Sequence, residues 1–282
     1  MRKATIVASD MHFGDQALLW GCLSSTMDKA IARVREFAPD RIEVLLNGDA
    51  VAGRGIFRLQ SVQNTVQLGA WQVAWAAWEI KRWQERLGAD IWRIILGNHD
   101  NSVKENLAQQ LTVWLRLLEV PVTYADRDVI GNFSAEKHDF RWYHAEHGSG
   151  YSSYYANSYS AIRSCWKKFI EVAKIHGIMV SRFMRGHTHW LNVGEGIGVE
   201  TAIDTTGGWH RQERLVLGSD IRNTGMLLYL ADNTDLEIET VEPDLEMLVE
   251  ESKSPTLAFT NMQRAGAGLE HVARWGRSEG LW

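Results

Sequence analysis

Leu96-Gly97-Asn98-His99-Asp100 closes an apolar run with an amide, an imidazole and a carboxylate. Ile91, Trp92, Ile94, Ile95 and Leu96 read as a buried strand, which puts the polar group at a strand's carboxyl end, where open α/β sheets hold their ligands. Gly97 allows a turn there without a Cβ clash. Working outward, the construction recurs at Ile6-Val7-Ala8-Ser9-Asp10-Met11-His12 and at Val44-Leu45-Leu46-Asn47-Gly48-Asp49. It recurs again at Trp142-Tyr143-His144-Ala145-Glu146-His147-Gly148 and at Phe183-Met184-Arg185-Gly186-His187-Thr188-His189. Five strand ends therefore deliver ligands of metal-binding type to one rim.

Helical patterns separate these strands. Ser24, Ser25 and Thr26 precede Met27, Ala30, Ile31, Val34 and Phe37, a helical period over 24–37 with a Ser/Thr cap before it and Pro39 after it. With its flanking strands it makes a right-handed βαβ unit. A helical tract covers about 57–87 and bends near Gly69, and 103–118 and 160–176 are further amphipathic helices. The charged, turn-rich segment 126–139 is expected to form a hairpin. Residues 226–231 and 236–241 alternate as strands about a turn at Asn233 and are expected to complete a second sheet. In strand 140–146, His144 and His147 face opposite sides; His147, at the strand end against Gly148 and Gly150, is the preferred ligand. No repeat or linker interrupts the chain, which reads as one domain over 1–245 with residues 246–282 as a surface appendage docking through Trp275 or Trp282.

Composition limits the function classes. The 282 residues are 45% hydrophobic and 23% charged, ordinary for a globular protein. A net charge of -5 and a pI of about 6.1 exclude a global basic field, so any nucleic-acid role rests on the site rather than on bulk charge. Cys22 and Cys165 supply neither a disulfide framework nor a thiolate zinc motif and suit a reducing compartment. Met1-Arg2-Lys3-Ala4-Thr5 runs into a strand too short for a signal peptide's apolar region, and nothing later reaches membrane-spanning length, so a cytoplasmic protein with no membrane span is expected. Tryptophan is the outlier, with 13 residues. Trp71, Trp75 and Trp78 fall at i, i+4 and i+7, one helix face packed on the core, with an exposed aromatic docking face as the alternative. The loop 150–159 holds four of the seven tyrosines, among them Tyr151 and Tyr154, and reads as a substrate wall or as a packed loop with satisfied hydroxyls.

In order, the strand ends spell Asp-x-His, Gly-Asp, Gly-Asn-His-Asp, His-Gly and Gly-His-x-His, from Asp10 to His189. That series resembles the calcineurin-like metallophosphoesterase superfamily. The resemblance implies an α/β fold, a four-layer α/β/β/α sandwich of two mixed sheets, with two divalent metal ions at the strand ends. It places Asp10, His12 and His189 on the first ion, Asn98, His147 and His187 on the second, and Asp49 between them. Imidazole and carboxylate donors suit Mn, with Fe, Zn, Ni, Co or Mg as other occupants, better than calcium. The implied reaction is phosphoester hydrolysis by a hydroxide bridging two ions about 3.5–4 Å apart, with no serine or cysteine nucleophile. His99 is then the general acid at the leaving group, a role worth roughly 10²–10⁴ in rate.

Two departures refine the expectation. Many relatives carry Gly-Asp-x-x-Asp, whereas Ala52 stands at the last position here and Arg54-Gly55 comes one place late compared with the protein phosphatases. The carboxylate that usually orients the catalytic histidine is missing. Ser9-Asp10-Met11-His12-Phe13-Gly14 and Asp100 resemble the phosphodiesterase and nuclease branches more than the protein phosphatases, so a phosphodiester such as a nucleic acid or nucleotide is the expected substrate. Arg54, Arg185, His210 and Arg211 are candidate phosphate contacts, and Tyr151 and Tyr154 candidate stacking partners for a base. The alternatives are a phosphomonoesterase or pyrophosphatase for a small or lipid-linked metabolite, and a non-catalytic scaffold, against which the intact Gly-Asn-His-Asp argues.

Overall fold

The computed structural model describes residues 1–54, 64, 66, 68–101, 105–134, 141–147, 159–187, 189, 191–194, 202–205, 209 and 224–280, with backbone alone for 159–166 and 202–205. The first half of the chain runs β1 (Lys3–Ala8), α1 (Trp20–Phe37), β2 (Arg41–Asn47), α2 (Gly69–Leu87), β3 (Ile91–Ile95), α3 (Leu107–Leu117), β4 (Val122–Ala125) and β5 (Asp128–Asn132). The second runs β6 (Trp142–Glu146), α4 (Tyr159–His176), β7 (Val180–Arg185), β8 (Ala202–Thr205), β9 (Met226–Ala231), β10 (Leu236–Val241), α5 (Leu245–Lys253) and α6 (Leu257–Ser278).

One sheet has the order β10-β9-β1-β2-β3-β4 and the other β5-β6-β7-β8, each mixing parallel and antiparallel pairs. Alternation along the strands sorts their side chains into layers. Ile6, Val44, Leu46, Trp92 and Ile94 face α1, α2 and α3 in the largest core, while Val7, Leu45 and Ile95 meet Tyr143, Ala145 and Met184 of the second sheet. Val172 and Phe169 of α4 close the outer face of that sheet over Phe183. The result is the expected α/β/β/α sandwich. No described helix is long and apolar enough to cross a membrane.

Several local expectations are corrected. β9 and β10 extend the first sheet rather than completing the second. All six residues of β9 are buried because Met226, Leu228 and Leu230 face the helices while Leu227, Tyr229 and Ala231 face the second sheet. Of segment 126–139, the described strand, β5, pairs antiparallel with β6, and residues 135–139 lie outside the described residues. Helix α1 begins at Trp20, ahead of the expected Ser/Thr cap, because its first amides are satisfied from afar, the Glu251 carboxylate accepting from Gly21 N–H and Cys22 N–H at 2.8 and 2.8 Å. Helix α3 begins at Leu107 on an Asn106 cap whose Oδ1 accepts from Gln109 N–H at 2.8 Å. Of the tract 57–87, the described helix starts at Gly69; residues 55–63, 65 and 67 lie outside the described residues.

The segment expected as an appendage holds the two C-terminal helices, α5 and α6. Helix α6 packs along α2, where Gly268 permits the approach: a Cβ there would stand 3.3 Å from Trp75 Cδ1. Trp75 and Trp83 are buried and Trp78 stacks on His271 with centroids 4.4 Å apart, while Trp71 remains half exposed. The buried stripe of α6 consists mostly of small residues, so it lacks the large apolar period that marks a core helix. Trp275 packs against the same core, and Trp282 lies outside the described residues.

Candidate metal centre

β1, β2, β3, β6 and β7 all stop at one rim, since parallel pairing sets Ala8 beside Leu46, Asn47 beside Ile95 and Glu146 beside Arg185. Beyond the strand ends the backbone turns left-handed at Asp10 (φ 53°), His12 (49°), Asp49 (52°), His187 (68°) and His189 (51°). Only seven described non-glycine residues have positive φ, and these five are expected ligands. Such conformations cost about 1–3 kcal/mol each and persist where the surroundings enforce them. Asp10 N–H donates to the Gly48 carbonyl and His12 N–H to the Asp49 carbonyl, both at 3.0 Å, while His187 N–H donates to Asp10 Oδ2 at 3.0 Å.

Each carboxylate divides its oxygens between scaffold and rim. Asp49 Oδ1 accepts from His99 N–H at 2.8 Å, leaving Oδ2 3.0 Å from His147 Nε2 and 3.9 Å from His12 Nε2. Asp10 Oδ2 takes the Ser9 hydroxyl and the His187 amide. The buried Asp10 Oδ1 is turned toward His189 Nε2 at 3.2 Å and His12 Nε2 at 3.9 Å without an aligned donor. His147 Nδ1 lies 2.8 Å from the Asn47 carbonyl, which can only accept, so Nδ1 carries a proton and Nε2 is presented to Asp49 Oδ2 and, at 3.1 Å, to Asn98 Oδ1.

The charges follow from these contacts. Burial opposes ionisation of Asp10, but His189 and His147 hold its carboxyl far below the usual range. Burial likewise opposes a charged His147, yet Asp49 beside it pushes the imidazole up to about 10. A field that draws a proton to His147 also draws a divalent cation.

The ligand atoms of Asp10, His12 and His189 lie within 4.8 Å of one another, as do those of Asp49, His147 and His187, and as do those of His12, Asp49 and His99. Asn98 joins the second group through His147. His147 Nε2, Asp49 Oδ2 and Asn98 Oδ1 converge with only the ring's own proton among them, and Asp10 Oδ1 faces two imidazoles. Groups of N and O donors with Asp49 between them suit the binding of divalent metal.

His144 faces the other way, with Nε2 3.0 Å from Asp128 Oδ2 and its ring against Phe183. Asp128, His144 and Glu146 form a further close group, but Lys168 lies 3.7 Å from Asp128 and Arg185 2.5 Å from Glu146, so cations of the chain already balance it. Arg185 is thereby corrected as a phosphate contact: it shares the outer face of β7 with Phe183. Arg54 is exposed, and Tyr151, Tyr154, His210 and Arg211 lie outside the described residues.

The orienting partner of His99 is a main-chain atom. His99 Nδ1 lies 2.8 Å from the Ala52 carbonyl, and the ring stands edge-on to His12 with centroids 4.5 Å apart. That carbonyl is fixed by its loop: Ala52 N–H donates to the Phe13 carbonyl, and Asp100 accepts from Val51 N–H and Gly97 N–H, each at 3.0 Å. Burial and the nearby charge of Asp49 push Asp100 up to about 6. Trp209, not singled out by sequence reasoning, is wholly buried against the segment that follows β1, its N–H donating to the Asp10 carbonyl at 3.4 Å and its carbonyl accepting from Leu19 N–H at 2.7 Å. Neither main-chain contact has a residue signature by which it could be found.

Gly48, at φ 83°, backs the site so closely that an added Cβ would fall 2.3 Å from His147 Cγ and Nδ1. Gly48→Ala should therefore displace His147, destabilise the fold by about 1–3 kcal/mol and reduce metal uptake. A wild-type urea midpoint and metal content in that variant would contradict the placement.

The α/β/β/α sandwich thus presents a rim of imidazoles and carboxylates at the ends of five strands. No protein-family model and no curated protein matches the sequence. Among solved structures the chain is similar to the sulfate thiohydrolase SoxB of Thermus thermophilus at 12% identity and TM-score 0.45, covering 98% of this chain and 61% of SoxB. It is also similar to Vps29 of Chaetomium thermophilum at 10% identity and TM-score 0.41, covering 86% of this chain and 98% of Vps29. A third likeness is to the phosphopantetheinyl hydrolase PptH of Mycobacterium tuberculosis at 8% identity and TM-score 0.35, covering 76% of this chain and 93% of PptH. The chain thus spans about three fifths of the length of SoxB.

Proposed function

We propose that this protein is a dinuclear metal-dependent phosphoesterase whose substrates are phosphodiesters, a nucleic acid or nucleotide among them. The observation that carries the reading is the convergence of Asp10, His12, Asp49, Asn98, His147, His187 and His189 on one rim, five of them on left-handed backbone of the kind that clusters at functional sites. Asp10, His12 and His189 would hold one ion, Asn98, His147 and His187 the other, with Asp49 common to both and Mn the favoured metal. When bound, such ions supply Lewis acidity toward phosphoryl oxygens and make water acidic enough to attack at neutral pH.

The chain's own groups complete the chemistry. The Ala52 carbonyl, which can only accept, fixes a proton on His99 Nδ1, so a second proton on Nε2 is the one His99 can give to a departing oxygen. The Asp49 carboxylate ties the His99 backbone to the rim, so the acid and the ligands move as one unit. Support for diesters over monoesters comes from the run Ser9–Gly14 and from Tyr151 and Tyr154, with Arg54, His210 and Arg211 as phosphate contacts.

The test is hydrolysis of a matched chromogenic diester and monoester by metal-stripped protein, with Mn, Ni, Zn and Mg restored one at a time. Diester cleavage restored by Mn is expected. A monoester preference would move the reading to a small-metabolite phosphatase, and no turnover with two ions bound would overturn the enzyme.

A further inference from the structure

The buried stripe of α6 is Leu257, Asn261, Ala265, Gly268, Val272 and Gly276, in which Asn261 is the single polar side chain. A wholly buried amide is tolerated where it is bonded, and Asn261 Nδ2 donates to the carbonyls of Gln16 and Leu18 at 3.2 and 2.9 Å. Those carbonyls belong to the segment that joins Asp10 and His12 to α1. The C-terminal helices grip the next residues too, Glu251 receiving the amides of Gly21 and Cys22 and the Arg264 guanidinium lying 3.6 Å from the Trp20 ring centroid.

On its other side the same segment is laced to the exit of β2. His12 N–H donates to the Asp49 carbonyl, Phe13 N–H to the Ala50 carbonyl and Ala52 N–H to the Phe13 carbonyl, each at 3.0 Å. Asp10 and His12 keep their left-handed backbone between these two sets of bonds. Asp15 bridges to Asn64 and Leu19 N–H donates to the Trp209 carbonyl at 2.7 Å, and between these two anchors Asn261 takes the carbonyls of Gln16 and Leu18.

The geometry points to Asn261 as a positioning residue that, from α6, holds the 16–18 backbone and so sets the Asp10–His12 half of the metal centre. This inference rests on the proposed metal centre. A residue serving stability alone would affect both halves of the centre alike, whereas a positioning residue acts on the half it holds.

Asn261→Leu removes both bonds at similar volume. Val272→Ala trims the same stripe about three turns away and serves as the stability control. Both are titrated with Mn²⁺ by calorimetry and compared by hydrogen exchange at the amides of residues 13–19. For Asn261→Leu, one of two Mn²⁺ sites, the one also lost in His12→Ala, should weaken about tenfold, and the 13–19 amides should exchange faster. Val272→Ala should change neither. Equal weakening of both sites in both variants, or an unchanged first site in Asn261→Leu, would overturn the assignment. Should Asn261→Leu fail to fold, Glu251→Ala, which opens the adjoining grip at the surface, should shift both readouts in the same direction by less, and no shift there counts against the role. A wild-type chain that binds no Mn²⁺ overturns the metal centre itself, and that is seen before any variant is made.

Discussion

His99→Ala should lower kcat by roughly 10²–10⁴ with metal content unchanged. The ring is joined to the site through its backbone amide, which Asp49 Oδ1 accepts, and through Nδ1 on the Ala52 carbonyl. Alanine keeps the first contact and loses the second, so the ligands stay in place while the proton source goes. The loss should be large for alkoxide leaving groups, which need a proton, and small for a nitrophenolate, which does not. A fall that is independent of the leaving group, or one that tracks lost metal, would remove His99 from the acid role.

Glu43→Ala should destabilise the fold by about 3–5 kcal/mol, read from the midpoint of urea unfolding. Glu43 projects from β2 into the layer between the sheets, where it is almost wholly buried. Lys3 lies 2.5 Å from its Oε2, Arg93 pairs with its Oε1, and the Tyr143 hydroxyl of the second sheet donates to Oε1 at 2.8 Å. Removing the carboxylate sets two cations side by side and strands a buried hydroxyl. Burial alone would raise the Glu43 pKa, but Lys3 and Arg93 outweigh it and hold the group below the ordinary carboxylate value. A depressed folded pKa contributes stability that is complete above the unfolded value, about 4.3, and is lost as pH falls through the folded one. The wild type should therefore shed stability below about pH 4 more steeply than Glu43→Gln. A cost under about 1 kcal/mol, or identical acid slopes, would show that the sheets are joined by apolar contact alone.

The candidate ligands were legible because each couples two local signals, an apolar strand and a polar residue at its end. Asp10, Asp49, Asn98, His147 and His187 each follow such a strand within a few residues, and parallel pairing does the rest. What local pattern could not carry was any contact between a side chain and distant backbone. The Ala52 carbonyl on His99, Glu251 on the first turn of α1 and Asn261 on the 16–18 loop are all of that kind. The same limit explains β9 and β10: alternation reveals two strands, but not that β9 joins β1 instead of β8. The C-terminal helices were underrated because glycine and alanine, which let helices approach closely, look like weak cores to a hydrophobic period.

The position of β1 bears on when the proposed metal centre would take up its ions. β1 lies between β2 and β9, with Lys3 opposite Arg41 on one side and Ala231 on the other. Contacts so remote in sequence form late, because closing the intervening chain is costly in entropy. As the ribosome releases the chain, Asp10 and His12 emerge long before the strand and helices that wall them in. Loose imidazoles on an unfinished chain would follow the general affinity order of the divalent metals, in which copper leads. Because the rim is complete only once His187 and His189 are made, and β9 and the C-terminal helices that brace β1 and its loop come later still, ion choice in the proposed centre would fall to a finished, shaped cage rather than to whichever metal the nascent histidines meet first.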